Sequence, residues 1–195
     1  MINENWIFVG AVLNLIGSTN YCFNTIQGKT KPNRVTWSLW ALAPLIAFAA
    51  MLGEGIELKL ALMTFMVGFG PLLIFIVSFI NKKSVWNITR FDVICGTLSL
   101  IGLVGWVFTR TGDVAILFSI VADGLALIPT LIKAWREPET ESPLVFFFGA
   151  ASATITLLAV KSYDFTTVGF PIYILTVCIL LFLLIQFKLG KKISG

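Results

Sequence analysis

The residue with the clearest chemical potential is Asp123, an acid in the middle of a long apolar run. Every other Asp or Glu lies near the end of an apolar run or between two runs. An ionised carboxylate at the centre of a membrane is costly, so such an acid is protonated, paired or next to water. We expect Asp123 to carry a coupling proton or to pair with a cationic ligand. The alternative is a protonated structural acid that is hydrogen-bonded to a neighbour such as Asn14.

A second candidate is a stripe of small and polar residues along the first apolar run. Its members recur about three or four residues apart, which places them on one helix face; they are Gly10, Asn14, Gly17, Ser18, Tyr21 and Thr25. Such a face avoids lipid and turns to other helices or to a cavity. We expect Asn14, Ser18 and Tyr21 to contact a small ligand, with Ser152 and Thr156 opposite. Close helix packing with interhelical hydrogen bonds is the alternative.

Two tryptophans and three prolines complete the set of candidates. Trp37 and Trp40 lie about one turn apart at the start of the second apolar run. They fit an aromatic belt at a membrane boundary or a cytoplasmic gate or stacking wall, and we expect Trp40 to contact the ligand. A proline inside a helix removes a hydrogen bond and favours a kink. We therefore expect hinges at Pro44, Pro71 and Pro129.

The composition decides the class of protein. The chain has 195 residues, of which 57% are hydrophobic and 12% are charged, whereas soluble domains carry about a quarter charged residues. The sequence thus predicts an integral membrane protein. The net charge of +4 does not indicate nucleic-acid binding, because the basic residues lie at the ends of apolar runs. Histidine is absent, and Cys22, Cys95 and Cys178 lie far apart in apolar segments, so we expect buried cysteines, no metal and no cofactor.

Seven segments are long enough to cross a membrane as helices, which takes about 20 mostly apolar residues. We predict an all-α membrane protein with spans at 6–26, 35–53, 58–80, 91–109, 114–133, 142–160 and 166–187.

The segments repeat in groups of three. One constant offset, which takes Trp6 to Val114, places the first three segments on the last three. The fourth has no counterpart, and as a single extra helix it lets both groups run in the same direction. We predict two parallel three-helix bundles, 1–83 and 111–195, joined by a linker helix in 84–110. Similar helix lengths arising by chance are the alternative.

Lys and Arg in the loops predict the orientation. Eleven of the 14 basic residues lie on one side of the predicted spans and three, Lys59, Arg110 and Lys161, lie on the other. Because basic loops stay in the cytoplasm, we predict a cell-membrane (plasma or inner membrane) protein with an external N-terminus and a cytoplasmic C-terminus.

The turn at 128–149 carries a family likeness. Pro129 lies near the end of an apolar run, Lys133 and a charged turn follow, and Ser142 opens a run with three aromatics. This order resembles the Pro-Gln-loop membrane proteins, which include the SWEET and SemiSWEET sugar carriers, the cystine exporters and the KDEL receptors. Thr130 stands here in place of the Gln. The resemblance implies a seven-helix carrier that works by rocking two three-helix bundles.

The residues and the resemblance together favour a carrier for a small polar solute, with a cavity between helices 1, 2, 5 and 6. The expected partners are membrane lipids and the solute, with no nucleic acid and a possible homo-oligomer. A receptor or binding protein of the same fold is the alternative. We do not expect an enzyme, because Asp123 has no second acid, histidine or nucleophile–base pair near it in the sequence. A retinal pigment would need a lysine well inside a span.

Overall fold

The computed structural model of the chain describes residues 2–3, 5–53, 58–108 and 112–194. Within these ranges there are eight α-helices, one 3₁₀ turn and no strand, so the predicted all-α fold class is confirmed. The elements are α1 (Trp6–Ile26), α2 (Arg34–Gly53), α3 (Leu58–Val77), α4 (Arg90–Phe108), α5 (Gly112–Arg136), the 3₁₀ turn (Pro138–Thr140), α6 (Pro143–Ala159), α7 (Phe165–Phe187) and α8 (Leu189–Ser194).

The ends of the helices differ from prediction by a few residues. Helix α3 ends at Val77 rather than at 80, where Arg34 donates to the main-chain carbonyl of Ser78 at 2.7 Å. Helix α5 continues to Arg136, and the short helix α8 was not predicted. It follows Lys188, whose φ of 51° lies in the left-handed region that ends a helix. The predicted helix end at 109 and the boundary at 110–111 lie outside the described residues.

Local signals explain where several helices begin. Thr89 and Asp92 exchange hydrogen bonds between their side chains and main-chain N–H groups, which is a capping box at the start of α4. Helix α6 has a proline at its first position, where the missing N–H costs nothing. At the start of α7, the Asp164 carboxylate accepts from the main-chain N–H of Thr167 at 2.9 Å.

The helices pack in an order that recurs along the chain. Helix α3 packs against both α1 and α2, and α7 packs in the same way against both α5 and α6. The two groups meet where α1 lies along α6 and where α2 contacts α5. Helix α4 packs mainly on α5 and also touches α2. The third helix of each group is thus its middle helix.

The outer surface of the molecule is apolar. On α4, the side chains of Ile94, Leu98, Ile101 and Phe108 share one face and are exposed. Among the described residues, three helical segments are long and apolar enough to cross a membrane: Trp6–Ile26, Ile116–Arg136 and Thr167–Phe187. An apolar exterior of this kind is typical of a surface that contacts lipid.

Candidate functional site

A cavity of about 400 Å³ lies inside the helix assembly. It extends from Trp37 and Ala126 toward Ala47 and Ile116, which lie nearer the opposite ends of α2 and α5. Its wall is mostly apolar and receives side chains from six helices, among them Trp40, Val67, Leu103, Asp123, Phe146 and Phe170. Pockets that hold small organic molecules have volumes of about 300–1,000 Å³, so this cavity has the size of a ligand site.

Asp123 faces the cavity from α5. The hydroxyl of Tyr173, on α7, donates a hydrogen bond to its Oδ2 at 2.8 Å. The indole of Trp40 is also close to this carboxylate, but its buried Nε1 has no hydrogen-bond partner among the described residues. Asp123 is only half-buried because it borders the open space. Among the described residues, the carboxylate therefore accepts one hydrogen bond of good geometry, from Tyr173, and it borders the cavity.

Aromatic rings close one end of the cavity. Trp37 is 2% exposed, and its ring centroid lies 5.0 Å from that of Tyr21 and 5.1 Å from that of Trp40. Phe146 packs against both tryptophans at 6.4 and 6.5 Å. Trp37 is thus buried, Trp40 is half-buried, and both line the cavity. Whether they contact a ligand stays a prediction.

A buried ion pair lies beyond this aromatic layer. The Nζ of Lys133 is 2.7 Å from Oε1 of Glu141, and neither side chain is exposed. The Tyr21 hydroxyl donates to Oε2 of Glu141 at 2.7 Å, and Lys133 also donates to the main-chain carbonyl of Lys31. These partners satisfy both charges, as a buried pair requires. The pair links α5 and the start of α6 to α1 and the loop that follows it.

Two threonines join α2 to α5 at the same end. Thr36 donates to the main-chain carbonyl of Ala126 at 2.7 Å, and Thr130 donates to the Thr36 hydroxyl at 3.0 Å. Both hydroxyls are fully buried. Thr130, the residue that replaces the Gln of the Pro-Gln pattern, therefore makes an interhelical contact. We call Tyr21, Thr36, Thr130, Lys133 and Glu141 the polar seal.

The predicted ligand-contacting residues divide between two places. Trp40 and Asp123 line the cavity. Asn14 and Ser18 face Gly70 of α3, and Ser152 faces Gly10 of α1, so these three lie where helices pack. The hydroxyl of Thr156 bonds back to the Ser152 carbonyl within α6.

Tyr21 belongs to the polar seal and lies outside the cavity lining. No described residue of α1 lines the cavity. The reason is that glycines let α1 approach α6 closely: a Cβ added at Gly17 would lie 3.0 Å from the Cα of Val145. The role of the α1 stripe in contacting a solute stays a prediction.

The three predicted hinge prolines all lie inside helices. Pro44 and Pro71 line the cavity, and Pro129 is buried in α5 between Asp123 and the polar seal. A fourth proline, Pro171, lies inside α7 and was not singled out from the sequence. Their function as hinges stays a prediction.

The described residues offer no metal centre, because no three His, Cys, Asp or Glu side chains are grouped there. Cys22 and Cys95 are buried, Cys178 is half-buried, and all three are free thiols. Comparisons with protein-family models, curated protein sequences and solved structures find no match for this chain. A function for this chain is therefore inferred from the geometry of the cavity and the polar seal, without support from a known relative.

Sequence reasoning missed Tyr173, Glu141 and the burial of Lys133. A tyrosine in an apolar segment is a usable signal, since a buried phenol needs a hydrogen-bond partner. Glu141 and Lys133 gave no such signal, because charged residues at the end of a helix and in a turn are normally solvated.

Proposed function

We propose that the protein is a membrane carrier for a small solute with a polar or charged group. In this proposal seven helices cross the membrane, α1–α3 and α5–α7 act as two three-helix units, and α4 is the linker. The observation that carries the proposal is the cavity with Asp123 on its wall and, among the described residues, the polar seal at one of its ends. In alternating access, the solute site opens to one side of the membrane at a time. Each of the two states therefore needs a closed end, and polar contacts close one end here.

The contacts between the units favour a seal that opens. Lys133 and Glu141 both belong to the second unit, so a separation of the units leaves the ion pair intact. The hydrogen bonds of the polar seal that break are those of Tyr21 to Glu141, of Lys133 to Lys31, of Thr36 to Ala126 and of Thr130 to Thr36. Water replaces such partners on opening, and each net hydrogen bond contributes only about 0.5–1.5 kcal/mol, somewhat more where a charge is involved.

The helix order supports the division into units. Each group of three has its third helix in the middle, and α1 meets α6 as α2 meets α5. The α1–α6 contact is close along the helices, whereas the cavity enters between α2 and α5. The α1–α6 and α2–α5 interfaces are equivalent in the two units, yet only the first is closely packed. One state of a carrier whose units rock against each other would show such a difference.

Three apolar helices and the exposed apolar face of α4 support a position in the membrane. With the orientation that the loop charges predict, the polar seal lies at the cytoplasmic end and the cavity faces outward. Asp123 would then meet the external solution first. We propose that it carries a coupling proton, in contact with Tyr173 and close to Trp40.

Thiol labelling in liposomes tests this proposal. In a variant without Cys22, Cys95 and Cys178, Ala43→Cys places a thiol in the cavity wall, while Leu42→Cys places one on the exposed apolar surface. A carrier exposes Ala43→Cys to a membrane-impermeant reagent from either side of the membrane and Leu42→Cys from neither. Labelling of Ala43→Cys from one side only, under every solute and pH condition, contradicts alternating access.

A second experiment addresses the proton. We expect Asp123→Asn to fold, because Tyr173 can still donate to the amide oxygen, and to lose the pH dependence of solute uptake between about pH 5 and 8. Uptake by the Asn variant that matches the wild type across this range would remove Asp123 from the coupling step.

A receptor or binding protein of the same fold is the second candidate. The observation in its favour is that both charges of the polar seal are fully buried and fully hydrogen-bonded, which suits a permanently closed end. Labelling of Ala43→Cys from one side, together with solute binding but no uptake, would favour this candidate.

A further inference from the structure

The wall of the cavity combines aromatic rings with a single carboxylate. Trp37, Trp40, Phe146 and Phe170 contribute rings, and the other lining side chains are mostly aliphatic. Among the described residues that line the cavity, Asp123 is the only Asp, Glu, Lys or Arg. The space therefore has a local negative charge in apolar surroundings, and this combination selects among possible ligands.

None of the described residues that line the cavity is a cation that could neutralise Asp123. Lys133, the buried lysine of α5, lies ten positions further along the helix, about 15 Å away at 1.5 Å per residue, and is paired with Glu141. In the described part of the chain, only the Tyr173 hydroxyl hydrogen-bonds the Asp123 carboxylate, at Oδ2. The Trp40 indole lies beside the same carboxylate without a hydrogen bond of good geometry to it, and no hydrogen bond from a described residue reaches Oδ1, so a ligand in the cavity can donate there.

The wall carries few polar groups for a sugar: Asp123, Thr64, Ser99, Ser119, the Cys178 thiol and the indole N–H groups of Trp37 and Trp40. A sugar needs a hydrogen-bond partner for each of several hydroxyls, because unpaired buried polar groups are costly. The hydroxyl of Ser99 already donates to the main-chain carbonyl of Ala122 at 2.6 Å. An anion would be repelled by an ionised Asp123, and a neutral apolar molecule would leave that carboxylate desolvated without a counter-ion.

We propose that the cavity binds an organic monocation, an ammonium group on an apolar or aromatic body. The ammonium donates to Oδ1 of Asp123, and the body packs on Trp40, Phe146 and Phe170. Aromatic faces attract cations, most strongly when water is excluded. This assignment rests on the proposed function, because it takes the cavity as the solute site of the carrier and names its substrate class.

A matched set of three probes tests the assignment. 2-Phenylethylamine, 2-phenylethanol and 3-phenylpropanoate share one ring and present a cation, a neutral group and an anion. With the purified protein in detergent at pH 7, calorimetry should show the amine binding at least about tenfold more tightly than the alcohol, a difference of about 1.4 kcal/mol. The carboxylate should not bind. Equal affinities of the amine and the alcohol, or no binding of the amine at millimolar concentration, would overturn the assignment.

Variants connect the preference to the named residues. Asp123→Asn should weaken amine binding at least about tenfold and leave the alcohol unaffected, while Asp123→Glu should keep the order of the three probes. Trp40→Leu should weaken the amine more than Trp40→Phe does, because only phenylalanine keeps an aromatic face. Glu137→Gln, which removes an exposed carboxylate outside the cavity, is the matched control and should bind like the wild type. An Asp123→Asn variant that binds the amine normally overturns the assignment even if it is slightly less stable.

The carrier proposal and the cation site can fail separately. Binding of 2-phenylethylamine that depends on Asp123, without uptake into liposomes, would overturn the carrier and support the cation site. Uptake of another solute by a protein that does not bind the amine would overturn the cation site and support the carrier.

Discussion

At the scale of single residues, the polar seal contains the most costly group to disturb. Lys133 and Glu141 are removed from water completely, and three kinds of partner compensate: each other, the Tyr21 hydroxyl and main-chain carbonyls. A buried pair of this kind contributes little net stability relative to well-packed apolar residues, but removing one partner leaves an uncompensated buried charge. Mutation can separate the small net contribution of the pair from the large cost of leaving one of its charges unpaired.

We expect Lys133→Met to lower the free energy of unfolding by about 3–5 kcal/mol, because Glu141 is left without a cation. The double variant Lys133→Met/Glu141→Gln should recover much of this loss, since no buried charge remains. Unfolding of the purified protein by denaturant in detergent measures both.

The chain offers a matched control for that experiment. The Nζ of Lys191 lies 2.8 Å from Oε1 of Glu139, a distance similar to that in the buried pair, but these side chains are 50% and 48% exposed. Exposed pairs contribute about 0–1 kcal/mol, so Lys191→Met should be nearly neutral. Equal losses for Lys133→Met and Lys191→Met would show that the first pair is solvated.

Residue types alone identified part of the site. Asp123 could be found because an acid within an apolar run is unusual, and Trp40 because it lies one turn from Trp37. The hydrogen bond from Tyr173 depends on how α7 is rotated against α5, which one sequence does not contain. The positions of Asn14 and Ser18 depend in the same way on Gly70 of the neighbouring α3.

At the scale of elements, the lengths of the apolar segments predicted the seven long helices. Their ends were less well predicted where tertiary contacts decide them. Helix α5 extends to Arg136 because Lys133 finds its partners inside the protein and the chain need not leave the helix there. Helix α3 ends near Ser78, where Arg34 of α2 donates a hydrogen bond to the main-chain carbonyl of Ser78. Neither contact is visible in the local sequence.

The close approach of α1 and α6 makes Gly17 sensitive to size. A Cβ there would lie 3.0 Å from the Cα of Val145 and 3.3 Å from the main-chain carbonyl of Leu144. Backbone atoms yield little, so we expect Gly17→Val to destabilise the protein by about 1–3 kcal/mol through overpacking. Gly124→Ala, whose added atom meets only the Tyr173 hydroxyl at 3.5 Å, should be tolerated. Unfolding in detergent compares them, and a neutral Gly17→Val would contradict the packing of α1 on α6.

The start of α7 should respond to pH. Hydrogen bonds from the Ser162 hydroxyl and from Thr167 hold the pKa of Asp164 below its ordinary value of 3.8. A lowered pKa means that the ionised cap stabilises the folded state above the ordinary pKa and loses this effect as pH falls through the lowered one. The melting temperature of the wild type should therefore exceed that of Asp164→Asn at pH 7; the gap should narrow below pH 3.8 and close only below the lowered pKa. Thermal unfolding at both pH values measures this difference. A gap that is the same at both pH values would contradict the role of the charge.

At the scale of the whole molecule, the sequence leaves the faces of the helices undetermined. Helices such as α4 and α7 are apolar nearly all round, so no amphipathic pattern shows which side faces outward and which packs against the protein. The repeat in segment lengths predicts two similar groups, but not that α3 and α7 lie in the middle of them. The location of the cavity follows from that arrangement, which explains why its lining was only partly foreseen.

The arrangement also determines where the molecule must open if it is a carrier. Thr36 of α2 and Thr130 of α5 touch across the two proposed units, with hydroxyl oxygens 3.0 Å apart. In a variant without native cysteines, Thr36→Cys/Thr130→Cys places two thiols where oxidation can join them. We expect the crosslink to abolish solute uptake into liposomes, to preserve solute binding from the end opposite the polar seal, and to be reversed by a thiol reductant. Each single substitution should transport normally before and after oxidation. Uptake that continues after complete crosslinking would show that the polar seal stays closed during transport, and the alternating-access mechanism would then be wrong.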